Sequence, residues 1–311
     1  MTIGIIDFYG LRTLTEGEVR AALPFKEGDP AGPHDPTMEL EIAKALEVSR
    51  VEIDFTCCPE PGVVIAYVGI EETPVPAPGY HAPPTGDAVL PPKILETAGE
   101  IDTVSMASIS AGDNREDWSE GHALAMNPDV RALQESYLIY AEQYRDALVD
   151  VLHGSADNEQ RAIAATVIGY ASSKKAVIPE LEHAVFDSSS KVRNNAIRAL
   201  GLMAMYANEH PELGLEIRPD PYIDMLNSVL HTDRNKASMI LLFLTSSRDP
   251  KLLAQLKERS LLSLTEMCRW KAEGHASMNC EILERVVGLP ERDEPYPKET
   301  TIALALELTP P

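Results

Sequence analysis

"IPELEHAVFDSSSKVRNNAIRALGL", residues 178–202, reads as an apolar helix, a polar turn and a second helix that opens on a cation. The turn Asp187-Ser188-Ser189-Ser190 is made of residue types that hydrogen-bond nearby backbone and start helices. "DALVDVLHGSADNEQRAIAATVIGY", residues 146–170, repeats the pattern, with Arg161, Ala164 and Gly169 aligned on Arg193, Ala196 and Gly201. A third copy, "YIDMLNSVLHTDRNKASMILLFL", residues 222–244, follows a longer connection that contains proline. One helical pair cannot bury its own apolar stripe. Stacked pairs at a period of roughly 30 to 45 residues can, and that is an α-solenoid. A last pair, 249–270 and 277–289, departs from the pattern as a capping repeat does. Ahead of the repeats, Asn127-Pro128 starts a long predicted helix carrying Val130, Leu133, Tyr137, Ala141, Tyr144, Leu148 and Val151, and Gly154 stops it.

The N-terminal part follows other periods. Ile3, Ile5 and the run Ile6–Phe8 predict a strand. Thr15 and Glu18 form a capping-box pattern, and Asp35-Pro36 starts a second helix with Met38, Ile42, Ala45 and Leu46 on one face. Val51, Ile53, Phe55 and Cys57 alternate with Glu52, Asp54 and Thr56, as in a half-buried strand. "PEPG" turns the chain into a returning strand with Val63, Ile65 and Tyr67. Residues 74–93, "PVPAPGYHAPPTGDAVLPPK", are dense in proline and predict an extended spacer. Residues 94–126 are mixed and polar, with one short helix expected.

The chain has 311 residues and a net charge of -22, from 49 acidic against 27 basic side chains. Such a surface repels phosphate, which argues against general nucleic-acid or anionic-membrane binding. Aromatics are 5% of residues and hydrophobic residues 44%, so the cores are aliphatic and alanine-rich. No apolar run approaches the roughly 20 residues of a spanning helix. The strand pattern begins at Thr2, which fits a start from which a signal has been trimmed. An extracytoplasmic, periplasmic location is expected in that case and a cytoplasmic one otherwise.

"GLRTLTEGEVRAALPFKEGDP" (10–30) with "KALEVSRVEIDFTCCPEPGVVIAYVGIEE" (44–72) resembles a POTRA domain. The resemblance implies docking of other polypeptides outside the cytoplasm, often by strand addition at a sheet edge. No barrel-like series of alternating strands follows, so it does not extend to transport. "SSSKVRNNAIRALG" (188–201) resembles the HEAT repeat, including the bacterial form found in bilin-lyase-like proteins. The order of modules is similar to that of bacterial HEAT-repeat proteins, which implies interaction rather than chemistry. The expected fold is therefore a small α+β N-terminal domain (strand-helix-helix-strand-strand) followed by an all-α HEAT-like solenoid. The expected boundaries are 1–73, a Pro-rich linker and irregular segment at 74–126, the solenoid at 127–289 and a tail at 290–311.

Four sets of residues are candidates for function. Arg193, Asn194, Arg234, Asn235 and Lys236 lie at helix starts of successive repeats. They form either an internal ladder to acids of the neighbouring repeat or a ridge that binds an acidic peptide. Trp270, beside Arg269, Lys271 and His275, is either a recognition patch or a buried ring. "SEGHALAMNPDV" (119–130) and "AEGHASMN" (272–279) share Glu-Gly-His-Ala. Both copies are read as starts of helices. The alternative is a metal site in which His122 and His275 meet with acids such as Asp113, Glu116 or Glu266. Cys268 and Cys280, six positions either side of Gly274, face each other if that glycine marks a helical hairpin, and bridge in an oxidising compartment. No Gly-rich phosphate loop, Gly-x-Ser-x-Gly elbow or Cys-His pair is present.

The sequence is thus read as a non-catalytic scaffold for another protein or peptide, with no cofactor. A metal-assisted or bilin-lyase-like protein using His122 and His275 is the alternative. A HEAT-like DNA glycosylase is a third class that the charge opposes.

Overall fold

A computed structural model describes residues 1–33, 35–57, 59–74 and 79–308. The fold is a small N-terminal α+β region followed by a helical-repeat region of HEAT-like pairs. The chain divides into two compact units. One joins Met1–Ala77 to Tyr222–Pro311, and the other is Pro78–Pro221. This grouping differs from the expected boundaries: it places the third and last helical pairs with the N-terminal sheet rather than with the first two pairs.

In the first unit, β1 (Thr2–Tyr9) leads to α1 (Glu16–Ala22), α2 (Pro36–Leu46), β2 (Arg50–Cys57) and β3 (Val63–Glu71). Both helices start as their sequences dictate. Thr15 and Glu18 make a complete capping box, and Asp35 accepts from the Thr37 amide with Pro36 in the first turn. The sheet order is β1-β3-β2, with β1 parallel and β2 antiparallel to β3. The β1 register slips between Ile3 and Ile5. This bulge puts Ile3 on the same face as Ile6 and Phe8, where strict alternation would have separated them. Those three, with Val51, Ile53, Val64, Ala66, Val68 and Ile70, form the core under Val19, Ile42 and Ala43 of the two helices.

The opposite face carries Asp7, Tyr67 and Asp54 in one row and Tyr9, Gly69 and Glu52 in the next. Its β1 and β3 residues Asp7, Tyr9 and Tyr67 are buried, whereas Asp54 at the β2 edge is exposed. Asp7 accepts the backbone N–H of Lys271 (2.9 Å) and Ala272 (3.1 Å), and the Trp270 indole N–H donates to Phe8 O at 3.2 Å. The Tyr9 hydroxyl donates to Val229 O at 2.7 Å. The partners are the turns between α9 (Asp220–Met225) and α10 (His231–Leu244), and between α11 (Pro250–Cys268) and α12 (Glu273–Val286). α13 (Lys298–Leu308), in the expected tail, packs on α11 and α12.

The second unit holds α3 (Pro92–Ser110), a ribbon of β4 (Glu116–Asp117) and β5 (Leu124–Ala125), then α4 (Pro128–Gln143), α5 (Arg145–Gly154), α6 (Asn158–Ile168), α7 (Lys174–Ala184) and α8 (Ser190–Glu209). Two expectations change. Where one short helix is expected within 94–126, a 19-residue helix begins earlier, at Pro92 of the Pro-rich stretch, and runs to Ser110. The long helix predicted from Pro128 is two, broken at Tyr144, whose backbone leaves helical geometry. The two Glu-Gly-His-Ala copies also differ. Gly274 lies in the first turn of α12, whereas Gly121 has φ +66 in a turn leading to β5, so only the later copy is a helix start. Within the Pro-rich stretch, residues 75–78 lie outside the described residues, as do 309–311 of the tail.

The close approach at Gly69 gives a test. A Cβ there would sit 2.4 Å from Val229 O and 2.6 Å from the Tyr9 ring. Gly69→Ala is expected to cost about 1–3 kcal/mol in urea unfolding by overpacking. Gly99→Ala, in an exposed helical position with nothing within 4 Å, is expected to stabilise by about 0.5–1 kcal/mol instead.

Candidate functional site

Three arginines occupy the same position in successive helical pairs, and each is 1–2% exposed. A guanidinium keeps its charge, so burial obliges it to find fixed acceptors. Arg161 donates to Ser155 O (2.7 Å), Arg193 to Asp187 O (2.8 Å) and Arg234 to Ser228 O (2.5 Å). Each acceptor lies six residues before its arginine, on the turn that precedes the helix. The second contact differs. Arg161 makes a bidentate pair with Asp187 at 2.7 and 2.9 Å. Arg193 lies under the Tyr80 ring at 3.9 Å, and Arg234 under the Tyr9 ring at 4.6 Å, with Glu266 at 3.6 Å. Arg193 and Arg234 are therefore not available as an open cationic ridge. Asn194 bonds Asn195 and is half-buried, as are Asn235 and Lys236.

What covers Arg193 is the Pro-rich stretch itself. From Gly79 to Leu90 it lies along the helical turns of its own unit. The His81 N–H donates to Phe186 O (2.7 Å). Gly86 exchanges a bond pair with the α5–α6 turn, its N–H to Gly154 O (2.9 Å) and its O from Ala156 N–H (2.8 Å). The Leu90 N–H donates to Gln160 Oε1 (2.8 Å). The His81 ring packs on His183 at 4.3 Å, and His183 stacks on His153 at 4.1 Å. The spacer expectation thus changes for these residues: the segment is docked. Sequence reasoning saw its extended geometry but not Tyr80, His81 and Gly86, whose partners lie about 70 to 110 positions away.

Trp270 and His275 are not a surface patch either. Trp270 is 2% exposed, and its ring lies 4.8 Å from that of Tyr67. Tyr67 is stacked on His231 at 3.7 Å, and its hydroxyl shares a 2.5 Å bond with His275 Nδ1. His231 Nδ1 is 2.9 Å from Asp54 Oδ2. Burial in this aromatic cluster holds both histidines below the ordinary imidazole value, His275 at about 4.

His122 lies in the other unit, so each histidine is held by separate neighbours. The acids expected nearby are engaged elsewhere: Asp113 by Arg115, Glu116 by Arg198 and Trp118, Glu266 by Arg12 and the Gly10 amide. Among the described residues no three His, Cys, Asp or Glu side chains are placed to hold a metal ion. Cys268 and Cys280 are joined by a disulfide across the α11–α12 pair, with Cα atoms 4.7 Å apart. The turn they span is 269–272, ahead of Gly274.

Residues 145–213, which are α5 to α8, match the family model of HEAT repeats. No curated protein matches the chain. HEAT repeats commonly act as protein-interaction scaffolds, through the extended surface that stacking creates. Among the described residues no helix is long and apolar enough to cross a membrane.

Arg161→Ala is expected to cost roughly 3–5 kcal/mol, because it strands the Asp187 carboxylate in the interior. Arg161→Ala with Asp187→Ala is expected to cost less than the two single losses added together, which a double-mutant cycle in urea would show.

A pH dependence follows from the other unit. His275 and His231 are held below their ordinary value, so between those values the unfolded chain binds the additional protons. Stability is full above about pH 6.5 and falls as pH drops toward 4, by about 3 kcal/mol for His275. Asp7, raised by burial, offsets part of this at the acid end. His275→Gln should flatten the slope of unfolding free energy between pH 6.5 and 4.

Proposed function

We propose that this chain is a non-catalytic scaffold whose helical repeats hold an extended polypeptide segment across their inter-helix turns. The observation that carries the reading is the docked stretch Gly79–Leu90. It is an extended, Pro-containing segment whose main chain makes three hydrogen bonds to backbone and one to the Gln160 side chain, with Tyr80 over a buried guanidinium. Pro83 and Pro84 have no N–H to satisfy and reduce the entropy lost on docking. Binding of this kind is read by main-chain groups with a few side-chain anchors.

The N-terminal layer adds a second module, which we read as POTRA-like from its order of strand, helix, helix, strand, strand. Strand addition is the expected docking mode for such a module. On β2, the outward Ile53 N–H is already taken by Glu39 Oε1 at 2.8 Å, which blocks that position of the edge. The first half of β1 is likewise occupied, by Gly28 and Asp29 through Ile3. The helical turns are therefore the better supported docking surface.

The trial is competition in trans. Gly86→Ala would bring a Cβ within 2.5 Å of Gly154 O and unseat the tethered segment. A fluorescent peptide of sequence GYHAPPTGDAVL is expected to bind the Gly86→Ala protein, with little binding to the unaltered chain, whose own segment competes at a millimolar-scale effective concentration. Adding Arg193→Ala should weaken the peptide about tenfold. Absence of binding by the Gly86→Ala protein up to about millimolar peptide would overturn the reading.

A further inference from the structure

The unit Pro78–Pro221 contains a cavity of about 600 Å3 that the docked segment does not line. Its walls include Leu124, Leu138, Leu213, Leu215 and Tyr206, with Glu120 and Glu142 also present. Lys174, at the first position of α7, also lines it and is 7% exposed. Its Nζ donates to Gly169 O at 3.0 Å and lies 3.3 Å from His122 Nδ1.

Buried lysines ordinarily pair with a carboxylate. None is within ion-pair distance of this Nζ among the described residues. Glu142 is bound to the amide and hydroxyl of Ser172, and Glu120 reaches His122 only through its main-chain carbonyl. Tyr170, the other ring beside His122, donates its hydroxyl to Ala123 O. Lys175, next in sequence, lines the same cavity but is exposed.

We propose that Lys174 is a nucleophilic amine that condenses with a small aldehyde whose apolar body occupies this cavity. The nitrogen lone pair adds to the carbonyl carbon and a C–N bond forms. Two protons then pass in turn from nitrogen to the former carbonyl oxygen by way of the His122 ring, the first giving the carbinolamine and the second letting that oxygen leave as water as the C=N bond closes. No electrons leave or enter, so the step needs no oxidant or cofactor. The surroundings favour the free amine. Burial lowers the Lys174 ammonium to about 8, against a smaller raising effect of Glu120 and Glu142. His122 is itself held below its ordinary value, by burial first and by Lys174 second, which keeps its ring neutral beside Nζ. A desolvated lysine in an apolar pocket is an established route to an activated amine. The purely structural alternative is that Lys174 serves only to close the Gly169 carbonyl at the end of α6.

The two are separated by reductive trapping on the full chain. Hexanal with cyanoborohydride at pH 7, followed by fragment mass spectrometry, compares Lys174 with its exposed neighbour Lys175. Lys174 is expected to be labelled at least about tenfold faster, since far more of it is unprotonated at that pH. Its rate should level off near pH 8. Leu213→Trp, a change at a partly exposed wall position, is expected to slow Lys174 and leave Lys175 alone. Labelling of Lys174 no faster than Lys175 would overturn the proposal, and so would labelling that Leu213→Trp does not change.

Discussion

The buried guanidinium is the constraint on which the repeat architecture depends. A lysine could shed its proton to enter the interior, and an apolar residue could enter without acceptors. Arginine can do neither, so its position fixes the groups around it. In all three pairs the first acceptor is the carbonyl six residues earlier, which ties each helix to the turn before it. The second partner is what lies over that pair. For Arg161 it is Asp187 of the next pair, for Arg193 the ring of Tyr80, for Arg234 the ring of Tyr9. One residue type thus joins repeat to repeat, repeat to docked segment, and repeat to sheet.

This explains which parts of the fold are legible in the sequence. The helical pairs follow from local period, and the starts of α1 and α2 from their capping residues. The shared arginine marks the register of the repeats. Its second partner is invisible in sequence, because Tyr9 is 225 positions from Arg234 and Tyr80 is 113 from Arg193. The same limit applies to the sheet. Glu52, Asp54 and Thr56 alternate like a solvated face, yet Asp54 pairs with His231 and its row-mate Tyr67 is buried under imidazole and indole rings. A period reports that a face is polar. It does not report that the polar groups have partners elsewhere in the chain.

Local identity misleads in the complementary way. Glu-Gly-His-Ala occurs twice and folds differently, because glycine permits the left-handed turn at Gly121 and tolerates the first helical turn at Gly274. The bulge after Ile3 is a further case, in which one unpaired residue decides which side chains share a face. The surroundings of Lys174 are not legible in the sequence for a simpler reason. Two adjacent lysines carry no local signal that separates them, and only the third dimension places His122 and a cavity against the first of them.

The disposition of charge then constrains what the proposed scaffold can hold. The chain carries a net charge of -22, and its 27 basic residues include the three buried arginines. The Arg161 charge is answered internally by Asp187, and those of Arg193 and Arg234 are roofed by aromatic rings. Little of this cationic charge faces outward, so a strongly acidic partner would meet repulsion rather than a basic ridge. The docked stretch fits that condition. From Gly79 to Leu90 it carries one acid, Asp87, and engages through backbone hydrogen bonds and a tyrosine over a guanidinium. Recognition built this way depends weakly on ionic strength, because its hydrogen bonds are short-ranged and its one cation is screened by protein rather than by salt. An acidic peptide held by open Arg193 and Arg234 would behave oppositely, losing affinity steeply as salt is raised.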